Sequence, residues 1–292
     1  MRRPELQLLL AGLLLALPNV AGAQKPINEV RAASPAGAVR INNLAGSIRV
    51  IGWERDSIAV TGTVAGGGAP FQLHVAGANA KLGIWPEGEA APTAKLEVRV
   101  PARSRVWIKT STADVTVQDV RGGLDVSTVS GRIDIRGQPS EVYAESMGGV
   151  VELELDTRML RARTAGSNIT IRGRVADAEA YTVSGLITIL NKQVERGRFE
   201  SVDGGIRYSG GIARASTVEF VTHAGDIELA LPASLPADVR ISSFQGTVRS
   251  ELGKLVRDAA SKRGGEYTLT LSGGGAEVIV RTFKGAVWLR PM

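Results

Sequence analysis

A corner recurs along this chain at a nearly fixed step. A Thr or Ser, followed three places later by a small residue, stands at Thr110, Thr128, Ser146, Thr164, Thr182, Ser201, Thr222, Ser243 and Thr282. The successive intervals are 18, 18, 18, 18, 19, 21, 21 and 39 residues. The small residues are Ala113, Gly131, Gly149, Ser167, Gly185, Gly204, Gly225, Gly246 and Gly285, with an outlying copy at Asn43 and Gly46. Apolar residues alternate on both sides of each corner, as Leu124 and Val126 do before Thr128 and Ile133 and Ile135 do after Gly131. Such alternation marks strands with one buried face. A single repeat cannot cover that face, whereas stacked repeats bury a continuous core. The pattern predicts an all-β fold: a single-stranded parallel β-solenoid with coils of 18 to 21 residues. Neighbouring coils would lie about 4.8 Å apart.

The outward residues fit this register. The predicted stacking order is Trp107, Asp125, Tyr143, Arg161, Glu179, Arg198, Glu219, Arg240, and its last five members alternate in sign. The next row sets Glu145 beside Arg163. Opposite charges on adjacent strands oppose register slips. Thr128, Gly131, Gly149, Thr182, Gly185, Gly204, Gly225, Gly246 and Gly285 are read as structural corner residues: a hydroxyl that satisfies backbone groups, and a residue tolerant of positive φ. Asp114 and Asn168, which follow the non-glycine corners, are expected to support the same left-handed turn.

Two regions break the period. Residues 24–100 read as an irregular β part that covers one end of the regular repeats in 101–249. In 250–292, Leu252, Leu255, Val256 and Ala259 fall on one helical face between Ser250 and Gly264, which predicts a short helix before the final coil.

The chain opens with Arg2 and Arg3, an apolar run over 6–17 and the small-x-small site Ala21-Gly22-Ala23. This reads as a secretory signal peptide over 1–23. Export would place the protein in the periplasm, at the cell surface or outside the cell. Removing Arg2, Arg3 and Glu5 from 35 basic and 29 acidic residues leaves 33 and 28, a net charge of +5. Nucleic acid is an unsuitable partner for an exported protein. A mildly basic surface fits an envelope glycan, a lipid head group or a membrane protein. There is no Cys, so no disulfide contributes to stability.

Catalytic signals are sparse. The only histidines are His74 and His223, and no nucleophile elbow accompanies either. Ser130 beside Gly131 has Gly148, Gly166, Ser184, Asp203, Ala224, Gln245 and Lys284 as equivalents, and a nucleophile is not interchangeable in that way. No cofactor or metal site is expected. The one carboxylate pair is Asp134 with Glu152, adjacent on the second-strand outward row, which makes a polysaccharide lyase or hydrolase the enzymatic alternative. For binding, the candidate residues are Trp107, Tyr143, Arg161, Arg163 and Tyr181, aromatic and guanidinium groups on one rigid strand face.

The stretches "INNLAGSIRVIGWERDSIAV", "TVSGRIDI", "TVSGLITI", "SVDGGIRY", "THAGDIEL" and "GGGAEVIVRTFKGAVWLRP" together resemble a bacterial domain-of-unknown-function family of adhesin-like proteins with β-strand repeats, similar to auto-transporter adhesin head domains. The resemblance covers about 40–292. It implies a parallel β-solenoid at the envelope or surface and supplies no catalytic residues. It also leaves room for a regulatory protein of envelope stress that binds a membrane partner.

Overall fold

The computed structural model describes residues 24–65, 70–85, 92–259 and 264–292. The signal peptide read over 1–23 lies outside the described residues. The fold is all-β: 23 strands belong to one hydrogen-bonded sheet, and no described residue is helical.

The 18-residue step is the register of two parallel ladders. In the first, Leu124 pairs with Val106 and Val142, Val142 with Leu160, and Leu160 with Ala178. In the second, Ile133 pairs with Val115 and Val151, Val151 with Ile169, and Ile169 with Ile187. The strands Val151–Thr164, Ile169–Thr182, Ile187–Ser201 and Ile206–Thr222 each run from the second ladder to the first, so only the corner interrupts them. The alternating apolar residues of both ladders point inward; Ile133, Ile135, Val142, Leu160, Ile187 and Val218 are all fully buried.

At the corner, the hydroxyl works in both directions. Thr128 Oγ1 accepts the Gly131 N–H at 3.0 Å and donates to the Ser111 carbonyl at 3.1 Å. Ser146 and Thr182 likewise accept the Gly149 and Gly185 amides, and they donate to the carbonyls of Gly131 and Ser167 in the preceding corner. The glycine there has a reason other than the expected one. None of the corner glycines from Gly131 to Gly285 has a left-handed φ. A side chain is excluded because a Cβ would meet the carbonyl oxygen of the neighbouring corner: 1.9 Å at Gly131 and 1.8 Å at Gly185. Ala113 and Ser167 are not left-handed either. Asp114 Oδ1 and Asn168 Oδ1 instead accept the amides of Arg132 and Leu186 one repeat further on, at 2.9 and 2.8 Å.

The rows do not follow chain order at the ends. Val218 pairs with Val278, and Val278 with Val239, so Ala276–Thr282 lies between Ile206–Thr222 and Ala237–Ser243. Val287–Pro291 is likewise set between Ile227–Leu231 and Val248–Ser250. Glu219 therefore has Ile279, not Arg240, as its next neighbour; it binds Arg198 and Arg281, while Arg240 reaches Glu277 at 2.8 Å. At the opposite end Ala38–Asn43 lies between Asn79–Ile84 and Arg105–Thr110. Antiparallel pairing takes over at both ends: Phe71–Ala76, and Ser57–Ala65 with Lys25–Ala32 beyond it, at one, and Gly265–Leu271 with the short Val256–Arg257 beyond it at the other.

The helix expected over 250–264 is not formed in the described part of that segment. Val256–Arg257 pairs antiparallel with Gly265–Leu271, and Asp258 N–H donates to the Glu266 carbonyl at 2.8 Å. Ser250 Oγ accepts the Leu252 amide, and Leu252 and Leu255 pack half-buried against the core. A helix of about 13 residues is marginal alone. The open edge of Gly265–Leu271 offers backbone partners to Val256, Arg257 and Asp258 instead.

One buried polar residue repairs the backbone where Ile169–Thr182 passes from the second ladder to the first. The ladder shifts register between Gly173 and Asp177, and Asn191 fills the gap. Its Oδ1 accepts the Val175 N–H and its Nδ2 donates to the Val175 carbonyl, both at 3.0 Å. Asn191→Leu removes both bonds at similar volume. It is expected to destabilise by about 2 kcal/mol or more, read as a lower urea midpoint, because two buried backbone groups lose their partners.

Candidate functional site

Alternation along four neighbouring strands of the first ladder turns their even or odd residues to solvent. The outward rungs are Tyr143 and Glu145, Arg161 and Arg163, Glu179 and Tyr181, and Arg198 and Glu200. Between them and the corner lies a groove of about 510 Å3, walled on the corner side by Met147 and Ala165. It brings together Arg161, Arg163 and Tyr181 of the expected binding residues. Tyr143 stands beside it, one rung from Arg161, exposed, with its hydroxyl toward Met159 Sδ.

Trp107 does not join them. Register places it three rungs from Arg161, which is roughly 14 Å. Its ring is met by the guanidinium groups of Arg40 and Arg105, at 5.0 and 5.1 Å from its centroid. Arg40 comes from Ala38–Asn43, a strand whose position next to Arg105–Thr110 the spacing did not show.

The groove's charges divide into spent and unspent. Arg161 bridges Asp177 and Glu179, both at 2.9 Å, and Asp177 also holds Arg196. Arg198 binds Glu200 at 2.9 Å and Glu219 at 2.6 Å; the Glu200 hydrogen bond first, then the Glu219 charge, hold its guanidinium above the ordinary value. Arg163 and Glu145 face each other in register, yet among the described residues neither makes a side-chain hydrogen bond or an ion pair. Tyr181 is 38% exposed.

The residue after each corner hydroxyl was a missed signal. In spatial order these are Val129, Met147, Ala165, Val183, Val202, His223, Phe283 and Phe244, a mostly apolar ridge beside the groove. His223 stacks on Phe283 at 4.9 Å between centroids, and Phe283 on Phe244 at 4.7 Å. The run of Val, Met, Ala and Phe at one corner position carried this in the sequence.

The enzymatic pair does neighbour in register, but both carboxylates are occupied. Asp134 receives Arg136 Nε and Nη2 at 3.0 and 3.2 Å, and Glu152 receives Arg132. Both Asp134 oxygens and one of the two on Glu152 are thus held by guanidinium groups, the arrangement of a surface ion-pair ladder. No cluster of three His, Asp or Glu suited to a metal occurs among the described residues.

No family model and no curated protein matches the chain. Similar solved structures include a "putative cell adhesion protein" from Clostridium sporogenes ATCC 15579 at 13% identity, covering 92% of this chain and 100% of that one, with a TM-score of 0.27. A "putative adhesin" from Bacteroides fragilis NCTC 9343 has 12% identity, coverages of 90% and 96% and a TM-score of 0.42. Another "putative adhesin", from Parabacteroides merdae ATCC 43184, has 12% identity, coverages of 70% and 96% and a TM-score of 0.41. Likenesses of this degree carry no family or function across to this chain.

Proposed function

We propose that the chain is an exported, non-catalytic β-solenoid that binds a component of the cell envelope through the groove between Glu145 and Glu200. The two ladders, advancing 18 residues per row, support the solenoid. The apolar run and cleavage pattern in 1–23 support export. The observation that carries the binding role is the contrast inside the groove. Arg161 and Arg198 are tied to carboxylates, whereas Arg163, Glu145 and Tyr181 stand ready with unmet hydrogen-bonding capacity. The cross-paired strands fix the backbones that carry these groups, so ordering on binding is confined to the side chains. A glycan, a lipid head group or a membrane protein fits this description, and nothing in it calls for a cofactor.

The test is retention on envelope fractions. Arg163→Ala combined with Tyr181→Ala is expected to weaken retention roughly tenfold or more, since each truncated anchor costs about 1 kcal/mol or more. Retention equal to that of the unaltered chain would reject the groove as the binding face.

A further inference from the structure

Resting on that reading, we propose that the groove is a subsite for an uncharged oligosaccharide, gripped between Glu145 and Arg163 and stacked on Tyr181. The charge of the lining is balanced: Arg161, Arg163 and Arg198 against Glu145, Glu179 and Glu200. A polyanion entering it would meet three glutamates and only one uncommitted guanidinium. A phosphate head group asks for several free cations converging on one point, and here the other two arginines are already neutralised.

The free pair has a different complement. Glu145 can only accept hydrogen bonds and Arg163 can only donate them. One rung apart, they present an acceptor and a donor of opposite charge, about 5 Å between backbones. Neighbouring sugar hydroxyls, each both donor and acceptor, satisfy the two together without bringing net charge. The Tyr181 ring, one rung further on beside Arg163, offers the flat face on which the C–H side of a pyranose stacks. Met147, 61% exposed, supplies an adaptable apolar wall. Four rungs span roughly 14 Å, room for a short chain of rings and more than one ring needs.

The experiment is calorimetric titration of the purified exported chain with oligomers of glucose, mannose and N-acetylglucosamine of increasing length. Oligogalacturonate and phosphatidylglycerol vesicles serve as charged probes. The expected result is binding of at least one neutral series, tightening with length, nearly insensitive to salt, and weakened roughly tenfold by Glu145→Gln and by Tyr181→Ala. Both substitutions lie on the surface, and circular dichroism checks that the fold is kept. Failure of every neutral oligomer to bind, or neutral binding that survives both substitutions, overturns the assignment. Salt-sensitive binding of only oligogalacturonate or vesicles, lost in Arg163→Ala, also overturns it while leaving the envelope-binding role intact. Envelope retention indifferent to Arg163 and Tyr181 removes both.

Discussion

Gly185→Ala should destabilise the protein by about 3 kcal/mol, at the upper end for overpacking a rigid site. The new Cβ would lie 1.8 Å from the Ser167 carbonyl oxygen and 2.3 Å from its carbon. Neither side of that contact is a flexible side chain. The Gly185 N–H is held by Thr182 Oγ1, and the same hydroxyl reaches the Ser167 carbonyl, so the two corners are laced together. Relief requires moving one corner away from the next. Gly166→Ala is the matched control, because a Cβ there meets nothing within 4 Å. It is expected to change stability by less than about 0.5 kcal/mol. Urea unfolding of the two variants decides the matter, and equal midpoints would sink the close-approach account of the corner.

Phe220→Ala should cost about 3–5 kcal/mol, the range for a fully buried aromatic. Phe220 pairs with Phe199 in register, and their rings lie 5.4 Å apart; Tyr208 meets Phe220 edge-on at 5.3 Å. Tyr208 spends its hydroxyl on the Gly211 carbonyl at 2.6 Å, and burial pushes that hydroxyl's pKa upward. The cluster is built around a missing side chain: a Cβ on Gly197 would come within 2.9 Å of both the Phe199 ring and Val218. Hydrogen-bonded rows on each side prevent the hole from collapsing. Thermal unfolding is expected to fall by roughly 6 °C or more. Phe244→Ala, on the exposed stack, is the comparison and should fall by far less.

The inward residues were legible because burial in this fold depends only on alternation and on the 18-residue step, both of which are local counts. Row order at the ends was not. Thr222, Ser243 and Thr282 carry equivalent corners, so nothing in their identity says that Thr282 pairs with Thr222 across 60 residues while Ser243 lies beyond it. The 250–264 segment has genuine helical spacing, and only the strand edge of Gly265–Leu271 explains why that spacing loses. Glycine spacing could not distinguish a backbone angle from a close approach. In the groove, Arg161 and Arg163 look alike in sequence. They differ because Asp177, on the approach to the same row, reaches one and not the other.

The end rows also bear on when the fold can close. Residues 276–291 are made after 237–250 yet lie inside them, and 79–84 and 93–101 are made after 38–53 yet lie outside. A chain emerging from its N-terminus can stack 105–231 as it appears, each repeat on the one before. It cannot seat 237–250 in their final place, because the row that carries them does not yet exist. The seven rungs joining Ala237–Ser243 to Ala276–Thr282 therefore form only after release of the later segment. That part of the protein should be a late, vectorial step in folding, and a chain stopped short of residue 276 leaves the edge of Ile206–Thr222 without its partner row.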